Sequence, residues 1–269
     1  MKNTYFPEHR DNRMKSEGDV IAARKYFMAG KNRVLYHLIE QRFFWMNKYI
    51  RDTDETIIEL GCGAGLSREF IKNKNLILTD VVKHEWVDRY MDALNIDYPD
   101  ESIDVIICSH MLHHISNPAA FLENISKKLK KGGRILIQDI YTCTLMKIVL
   151  RIMRHEGWSD DLNIYDREAI CNNPDDPWSA NCSIPKLLFF SREWIKEFPM
   201  YKMLKRTRSE CFLFLSSGGV IAKTFYLPVG DKGVWLIKKL DKILVRFAPF
   251  FFACGCSVVL QKKYDYEIN

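Results

Sequence analysis

The central part of the chain alternates short apolar runs with stretches of helical period, which is the pattern of parallel strands joined by helices. The run IDVIICS at 103–109 is apolar almost throughout, as in a strand that is buried on both faces of a sheet. We therefore predict an α/β fold with a doubly wound, mostly parallel sheet and right-handed crossovers. The predicted strands of this part are 56–60, 75–79, 103–109, 134–139 and one that ends at 91–93.

Both ends of the chain depart from this alternation. Residues 1–55 predict an irregular arm and a helical cap, because apolar residues recur at three- and four-residue steps between Val20 and Ile50. Residues 56–269 predict one domain with two lid insertions, at about 141–200 and 216–250. The expected helices are 66–73, 118–130, 141–155, 191–198 with Ser191 as N-cap, and 233–247, and the expected later strands are 208–215 and an antiparallel last strand at 253–262.

The helix expected at 233–247 is amphipathic and basic, and three phenylalanines follow it at 250–252. This composition is compatible with contact with a membrane surface or a lipid-linked substrate. Packing on the helix's own domain, or on a second subunit of a homodimer, fits the same pattern and is the favoured interpretation. The sequence leaves these alternatives open.

Charge and cysteine content indicate which partners and which cellular environment are expected for the protein. The net charge of +6 comes from 40 basic and 34 acidic residues spread along the chain, so a nucleic-acid partner is not expected. The eight cysteines form no CxxC pair, which favours reduced thiols in the cytoplasm and predicts no metal site. The polar N-terminus predicts no signal peptide, and the apolar stretch at 247–260 is shorter than the ~20 residues that span a bilayer.

A glycine-rich turn follows the first predicted strand in the sequence TIIELGCGAGLSREFI at 56–71. Glycines 61, 63 and 65 permit a tight turn that a ligand can approach closely, because glycine has no Cβ and tolerates positive φ. A dinucleotide site usually reads G-x-G-x-x-G, whereas the spacing here is G-x-G-x-G with Glu59 two residues before it. The acid is expected to repel a pyrophosphate and to favour a ligand that carries an ammonium group.

Residues 57–139 resemble class I S-adenosylmethionine-dependent methyltransferases, which implies a Rossmann-like fold with seven strands. ELGCGAG is similar to the first motif of that family, and MDALNIDYPDESIDVIICSHMLHHI at 91–115 resembles the next motifs. LENISKKLKKGGRILIQD at 122–139 resembles the stretch that leads into strand five. The resemblance implies that Asp80 bonds both ribose hydroxyls and that Asp92 and Ala93 contact the adenine. The implied S-adenosylmethionine contacts are Glu59, Gly61, Cys62, Gly63, Gly65, Asp80, Asp92, Ala93, Ser109 and His110.

One stretch departs from the family's pattern. Only 11 residues, from Val81 to Met91, join Asp80 to Asp92, whereas a parallel crossover usually needs a dozen or more. The second crossover helix is therefore expected to be a turn or irregular chain. This short link, with HEGWSDD, IPKLLFFSREWIKEFP and SSGGV further along, is similar to a subgroup of bacterial methyltransferases associated with cell-envelope polysaccharide or small-molecule biosynthesis.

The expected reaction is methyl transfer to a hydroxyl of a small molecule or saccharide, with an amine or carbon as less favoured acceptors. The chain reads SHML after strand four, so it lacks the Asn/Asp-Pro-Pro-Tyr motif of amino methylation and the Pro-Cys nucleophile of cytosine methylation. A nicotinamide-dependent oxidoreductase and a non-catalytic binding subunit are the alternatives. Aromatic side chains at 158, 178, 189, 190 and 194 line an acceptor pocket or form a small core of the lid.

Three side chains are candidates for a base or for orienting the acceptor. His114 follows strand four, Tyr141 follows strand five, and His155 opens the first lid insertion. All three are expected near the carboxyl ends of the strands, where open α/β sheets bind ligands. Each histidine could equally be held by the backbone in a structural role.

Overall fold

The computed structural model describes residues 5–7, 19–153, 156–176, 178–220 and 224–264 of the chain. Nine strands occur in these ranges. They are β1 (Tyr5–Phe6), β2 (Ile57–Leu60), β3 (Leu76–Asp80), β4 (Arg89–Tyr90), β5 (Ile103–Ser109), β6 (Leu129–Ile140), β7 (Trp158–Ser159), β8 (Tyr201–Ser209) and β9 (Gly255–Lys262).

Seven of the strands form one sheet in the order β4-β3-β2-β5-β6-β9-β8. The pairs from β4 to β6 are parallel, and β9 runs antiparallel to both β6 and β8. The predicted seven-stranded, mostly parallel sheet with an antiparallel last strand is therefore confirmed. The remaining strands, β1 and β7, pair with each other.

Helices cover the sheet and build the insertions. The α-helices of the described ranges are α1 (Val20–Met28), α2 (Arg33–Phe43), α3 (Pro118–Lys128), α4 (Thr144–Met153), α5 (Ile184–Phe189), α6 (Trp194–Glu197), α7 (Phe212–Leu215), α8 (Asp231–Phe247) and α9 (Pro249–Phe252). Shorter 3₁₀ helices lie at Phe44–Lys48, Leu66–Glu69 and Leu112–His114.

Side chains of β5 alternate between two hydrophobic cores, one on each face of the sheet. Val105 and Ile107 pack in the core that also contains the buried residues of α1, α2, α4 and α8. Ile106 and Cys108 pack in the opposite core with α3, α5 and α6. Both faces of the sheet are covered, which explains why this strand is apolar throughout. The N-terminal helical cap supplies much of one covering layer.

The crossovers on the β2–β3–β4 side are shorter than predicted. In place of the helix expected at 66–73, the chain forms one 3₁₀ turn, Leu66–Glu69. The side-chain amide of Asn47 forms hydrogen bonds with two backbone groups that a longer helix would have bonded internally. Its Nδ2 donates to the Phe70 carbonyl and its Oδ1 accepts from the Lys72 N–H, both at 2.8 Å. No helix lies between β3 and β4 in the described chain, as the short link predicts.

The strand predicted to end at 91–93 ends earlier, because β4 contains only Arg89 and Tyr90. Asp92 then turns the chain: its Oδ1 accepts the Leu94 N–H at 2.8 Å, which is the local bond of an aspartate turn. The prediction was late by a few residues because a following acidic turn cannot be distinguished from a strand end in so short a run.

The strand predicted at 208–215 was wrong. β8 ends at Ser209, and α7 occupies Phe212–Leu215. The cause is Asp241 of α8, whose carboxylate accepts the N–H groups of residues 211, 212 and 213 at 2.8–3.1 Å. These are the free N–H groups of a helix start, and an acid 30 residues away satisfies them.

The helix predicted at 191–198 is shorter and has a different N-cap. Ser191 bonds the Glu193 N–H at 3.1 Å in a bend, and α6 begins only at Trp194, with Glu193 in the N-cap position. A serine with this local bond makes a turn as readily as a helix cap. The side-chain hydroxyl therefore marked a bend before the helix instead of its start.

A buried ion pair ties the N-terminal cap to the far edge of the sheet. Arg42 of α2 donates to Glu210, which follows β8, through Nε at 3.0 Å and Nη2 at 2.7 Å. Their side chains are 9% and 2% exposed. Gln138 of β6 also donates to this carboxylate at 3.1 Å. The pair thus links elements that are 168 residues apart in sequence.

Replacing Arg42 with Met is expected to lower the free energy of unfolding by about 3–5 kcal/mol, because it leaves a buried carboxylate without its partner. Urea denaturation followed by circular dichroism measures this change. The control is Arg33→Met on the same helix, which removes an exposed pair with Asp231 and is expected to leave the midpoint unchanged. Equal effects of the two substitutions would contradict the role given to the buried pair.

Candidate active site

The carboxyl ends of β2, β3 and β5 open into a cavity of about 530 Å³. From β2 the chain runs outward through β3 to β4, and then returns to β5 on the other side of β2. The cavity therefore lies at the point where the direction of winding reverses, which is where open α/β sheets bind their ligands.

The glycine-rich turn forms one wall of the cavity, and its three glycines have different roles. All three have left-handed backbones, with φ of +63°, +50° and +63°. A Cβ at Gly61 would lie 2.6 Å from Met111 Cγ, and one at Gly65 would lie 2.4 Å from Trp86 Cδ1. A Cβ at Gly63 would meet nothing within 4 Å, although Gly63 lines the cavity. The outer two glycines permit packing, whereas the middle one leaves room for a ligand.

Two side chains that sequence reasoning did not assign hold this turn from outside the cavity. The Trp86 indole N–H donates to the Gly63 carbonyl at 2.9 Å. Arg24 of α1 donates to the Ala64 carbonyl at 2.9 Å, and its guanidinium lies 4.9 Å from the Trp86 ring centre. Because the carbonyls are satisfied from outside, the turn keeps one conformation. No local sequence signal connects Arg24 with a turn 40 residues away.

Two acids stand beside the turn. Asp80 ends β3, and its two carboxylate oxygens accept the N–H groups of Gly63 at 2.8 Å and Val82 at 3.0 Å. Glu59 is fully buried in β2 and accepts a hydrogen bond from the Ser67 hydroxyl. Burial, with the nearby charge of Asp80, raises the pKa of Glu59 to about 8. A cation placed in the cavity would reverse this effect and favour the carboxylate.

His110 contributes a polar atom without a partner. It follows β5 with a left-handed backbone, at φ +51°, and its N–H donates to the Gln138 carbonyl at 2.7 Å. Its side-chain Nε2 is buried and has no hydrogen-bond partner among the described residues. Burial and the charge of Arg42 hold the pKa of His110 well below its usual value, so the ring is neutral. Such an atom in a cavity wall is suited to a ligand contact.

The structure brings nearly all of the predicted cofactor residues to this cavity. Gly65 is the exception, since it packs behind the turn against Trp86. The predicted cofactor residues that line the cavity are Glu59, Gly61, Cys62, Gly63, Asp80, Asp92, Ala93, Ser109 and His110.

A chain of buried charged groups borders the cavity beyond β5. His113 Nδ1 lies 2.5 Å from Asp139 Oδ1, and its Nε2 lies 3.7 Å from Glu156 Oε1. Burial alone would lower the pKa of His113, but the two carboxylates outweigh it and raise that pKa to about 10. His113 is therefore an imidazolium at neutral pH.

His114 has the opposite protonation state. Burial and the charge of His113 lower the pKa of His114 to about 4. Its Nδ1–H donates to the Ser179 carbonyl at 3.1 Å, which leaves the lone pair on Nε2. The Nε2 of His114 lies 4.0 Å from Glu156 Oε1, and His114 lines the cavity. Two adjacent histidines thus differ in charge, which is a common device for separating acid and base roles.

These histidines and Glu156 place three ligand-type atoms within 4.8 Å of one another. Zinc bonds of 2.0–2.1 Å would bring tetrahedral ligand atoms to roughly 3.3 Å apart. Moreover, His113 is held in its protonated form between two carboxylates, and a protonated imidazole is not a ligand. His113 is hydrogen-bonded to Asp139 and lies near Glu156 as an ion pair, and the absence of a metal site stays a prediction.

The other two catalytic candidates have different outcomes. Tyr141 is buried and does not line the cavity; its ring packs edge-on against Phe190 at 5.0 Å, and Arg208 lies over it at 5.0 Å. The structure therefore gives it a packing position. His155 lies outside the described residues. Glu156, the neighbour of His155 in HEGW, lines the cavity.

The far wall of the cavity is mainly apolar. Met146, Leu150 and Met153 of α4 form part of it, together with Phe43 of α2 and Phe214 of α7. Of the five lid aromatics, Trp178 lines the cavity. Phe189 and Trp194 pack against each other at 5.0 Å in the second core, so these aromatics form a core of the lid.

A family model described as a methyltransferase domain matches residues 26–181, which is more than half of the chain. The chain belongs to this methyltransferase family. The resemblance proposed from the motifs is thereby confirmed, and it replaces the oxidoreductase alternative. S-adenosylmethionine is the cofactor that the family identity implies.

Two curated relatives of this methyltransferase share about a quarter of the aligned residues. Ubiquinone biosynthesis O-methyltransferase of Xylella fastidiosa is 24% identical over 144 residues, covering 47% of this chain and 58% of that protein. The protein of the same name from Coxiella burnetii is 25% identical over 128 residues, covering 42% and 55%. The chain thus spans a little over half the length of the curated relatives it matches.

A solved structure supports the fold of the methyltransferase. A SAM-dependent methyltransferase from Archaeoglobus fulgidus superposes with a TM-score of 0.50 at 20% identity, covering 84% of this chain and 94% of that one. At this identity the likeness shows a shared fold.

The residues present fit S-adenosylmethionine. Glu59, Asp80 and Asp92 offer carboxylates to a cationic, hydroxylated ligand in the cavity, and the open space at the Cβ position of Gly63 admits a close approach to the backbone. His110, whose buried Nε2 has no hydrogen-bond partner among the described residues, also lines the cavity.

Cofactor binding to the methyltransferase is expected to depend on pH through Glu59. The pKa of Glu59 in the folded protein is about 8, above the ordinary value of 4.5. The protonated side chain therefore stabilises the free protein fully below pH 4.5. This contribution is lost as the pH rises from 4.5 through about 8. Because an ammonium ligand favours the carboxylate, affinity for S-adenosylhomocysteine should rise across the same window, by up to about tenfold per pH unit. Calorimetric titration at several pH values measures it.

The Glu59→Gln variant provides the control for this prediction. It cannot ionise, so its affinity should be lower and nearly independent of pH while the ligand's own amino group stays protonated. A pH slope that is the same in the variant and in the parent chain would contradict the role of Glu59.

Proposed function

We propose that this methyltransferase moves a methyl group from S-adenosylmethionine to a hydroxyl group of an apolar small molecule. The observation that carries the proposal is the neutral imidazole of His114, which lines the cavity with its Nε2 4.0 Å from Glu156 Oε1 and shares that cavity with apolar side chains of α4. A hydroxyl nucleophile needs a proton acceptor at the site, whereas a carbon or a neutral amine does not need this arrangement to the same extent.

The bound cofactor supplies an electrophilic methyl group on a sulfonium. The chain has two tasks: it holds the acceptor oxygen in line with that methyl group, and it removes the hydroxyl proton. The glycine-rich turn with Glu59 and Asp80 would hold the cofactor, whose sulfonium would act as the leaving group and keep the electron pair of the C–S bond. The proton passes from the acceptor oxygen to His114 Nε2.

The low pKa of His114 is compatible with this role. A hydroxyl oxygen that has gained a methyl group is a far stronger acid than the free hydroxyl, so a weak base suffices when proton and methyl transfer are concerted. The imidazolium that forms lies 4.0 Å from the Glu156 oxygen, which stabilises its charge. A base that remains unprotonated at neutral pH is ready to act in every turnover.

His113 and Asp139 serve as positioning residues in this scheme. Asp139 accepts from His113 and also from the Leu112 N–H at 3.0 Å, so it fixes the 3₁₀ turn that carries both histidines. Burial, together with the charge of His113, lowers the pKa of His114 and keeps its ring neutral until the acceptor arrives. Neither His113 nor Asp139 has to touch the acceptor.

The nature of the acceptor is inferred from the cavity wall and from the relatives. Thioether and aliphatic side chains of α4 favour an apolar or aromatic body over a saccharide, which usually requires several polar contacts. The curated relatives are named O-methyltransferases of ubiquinone biosynthesis, which supports a hydroxyl as the accepting group. A saccharide acceptor and a non-catalytic role are the outcomes that would replace the proposal.

Replacing His114 with Gln is expected to lower kcat on the order of a hundredfold with hydroxylated aromatic acceptors, while affinity for S-adenosylhomocysteine stays within about twofold, because a positioned base typically contributes this much or more. A methyl-release assay with panels of phenols, amines and saccharides gives both acceptor class and rate. His37→Gln on α2, outside the cavity, is the matched control.

Three results would overturn the proposal. An unchanged kcat in the His114→Gln variant would show that His114 is not the base. Preferential turnover of saccharides or amines would show that the acceptor is not a hydroxylated apolar molecule. Absence of methyl release from every panel, with normal cofactor binding, favours the binding-subunit alternative.

A further inference from the structure

Three helices expose a continuous set of large apolar side chains on one side of the molecule. Helix α9 contacts both α8 and α4, so the three form one surface, which we call the apolar patch. The most exposed members are Phe247 at 78% and Ile152 at 76%. The exposed apolar side chains of the patch are Ile148, Ile152, Trp235, Leu236, Leu240, Ile243, Phe247, Phe250 and Phe251.

Helix α8 does not need this face to dock on its own domain. Its inner face carries the buried residues Val234 and Asp241. Val234 packs in the first core, and Asp241 caps α7. The helix is therefore anchored from one side, and its apolar patch points away from the anchor.

The exposed face of α8 separates apolar from basic side chains. At 100° per residue, Leu236, Leu240, Ile243 and Phe247 fall within an arc of about 60°. A basic stripe occupies the neighbouring arc of about 80°. Its exposed members are Lys232, Lys239, Lys242 and Arg246. An apolar stripe with flanking cations is the pattern of a helix that lies in a membrane interface.

No acid of α8 offsets this positive charge. Asp231 is paired with Arg33 at 2.7 Å, and Asp241 is buried under α7. Trp235 falls within the basic arc, with Lys239 Nζ 5.0 Å from its ring centre, and tryptophan is a side chain that prefers the boundary between headgroups and hydrocarbon. Charge and shape together therefore match an anionic surface with an apolar interior.

We propose that the apolar patch docks on the surface of an anionic phospholipid bilayer, with α8 parallel to the membrane plane. The apolar stripe would enter the acyl boundary, and the basic stripe would contact the headgroups. Within the described ranges, no helix has the length and hydrophobicity to cross a bilayer. The docking is therefore an attachment to one leaflet.

This surface lies one helix away from the cavity. Met146, Leu150 and Met153 on the inner face of α4 line the cavity, whereas Ile148 and Ile152 on its outer face belong to the patch. A docked molecule would hold the apolar wall of the cavity next to the bilayer. The docking itself does not depend on the proposed acceptor, because lipid binding is measured without turnover.

The test is co-flotation of the full chain with vesicles of phosphatidylcholine alone or mixed with phosphatidylglycerol. Flotation with the mixed vesicles is expected, and added salt should weaken it. Lys239→Gln with Lys242→Gln should weaken binding by about tenfold or more, and Ile243→Ser with Phe247→Ser by at least about tenfold. Ile195→Ser, an equally exposed position on α6 at the opposite face of the sheet, should change nothing.

Several outcomes would overturn the proposal. The first is that the chain floats with neither type of vesicle. The second is that the parent chain and both double variants bind equally well. The third is that the Ile195→Ser variant loses as much vesicle binding as the double variants do. A dimer in light scattering that the Ile243/Phe247 changes disrupt, without any vesicle binding, would assign the patch to a second copy of the chain. Thermal melts of each variant show whether it is still folded. Methyl-release activity measured without vesicles tests the proposed function separately, so a failure of membrane docking is distinguished from a failure of that function.

Discussion

The site depends on one backbone constraint, a turn that must hold three alternate residues in the left-handed region at the end of β2. Glycine removes the steric cost of this backbone conformation. The turn also needs support from its neighbours, because a flexible loop would lose conformational entropy on ligand binding, and that loss would weaken the affinity. Trp86 and Arg24 provide that support from outside the cavity, and Met111 packs closely against Gly61. The N-terminal cap, which supplies Arg24, is therefore part of the cofactor site as well as a cover for the sheet.

Burial sets the protonation states around this turn. Without a ligand, Glu59 keeps its proton and His113 holds a charge that two carboxylates compensate. That charge keeps His114 neutral. A cationic cofactor would supply a positive charge beside Glu59, and under the proposed function a hydroxyl acceptor would supply its proton to His114. Cofactor and acceptor ends are thus distinguished by electrostatics within one cavity.

Local sequence predicted the parts of the structure that local forces determine. Apolar runs fixed β2, β3 and β5, and the spacing of Glu59, Gly63 and Asp80 indicated the cofactor wall. Contacts between distant residues were not predictable in this way. Asp241 turned an alternating segment into α7, and neither the Arg42–Glu210 pair nor Glu156 has a motif that marks it. Each of these polar groups acts through a partner brought close only by the fold, which is why the acceptor side was less predictable than the cofactor side.

The central claim is that the cofactor lies against the backbone of Gly63, and calorimetric titration of S-adenosylhomocysteine into Gly63→Ala tests it most directly. Gly30→Ala is a matched control: Gly30 also has a positive φ, +67°, and open space at Cβ, but lies outside the cavity. Both substitutions should cost about 1–2 kcal/mol of stability through left-handed strain. The account predicts that affinity falls at least about tenfold in Gly63→Ala, roughly 1.4 kcal/mol, and is unchanged in Gly30→Ala. Equal affinity in the parent chain and both variants would contradict it.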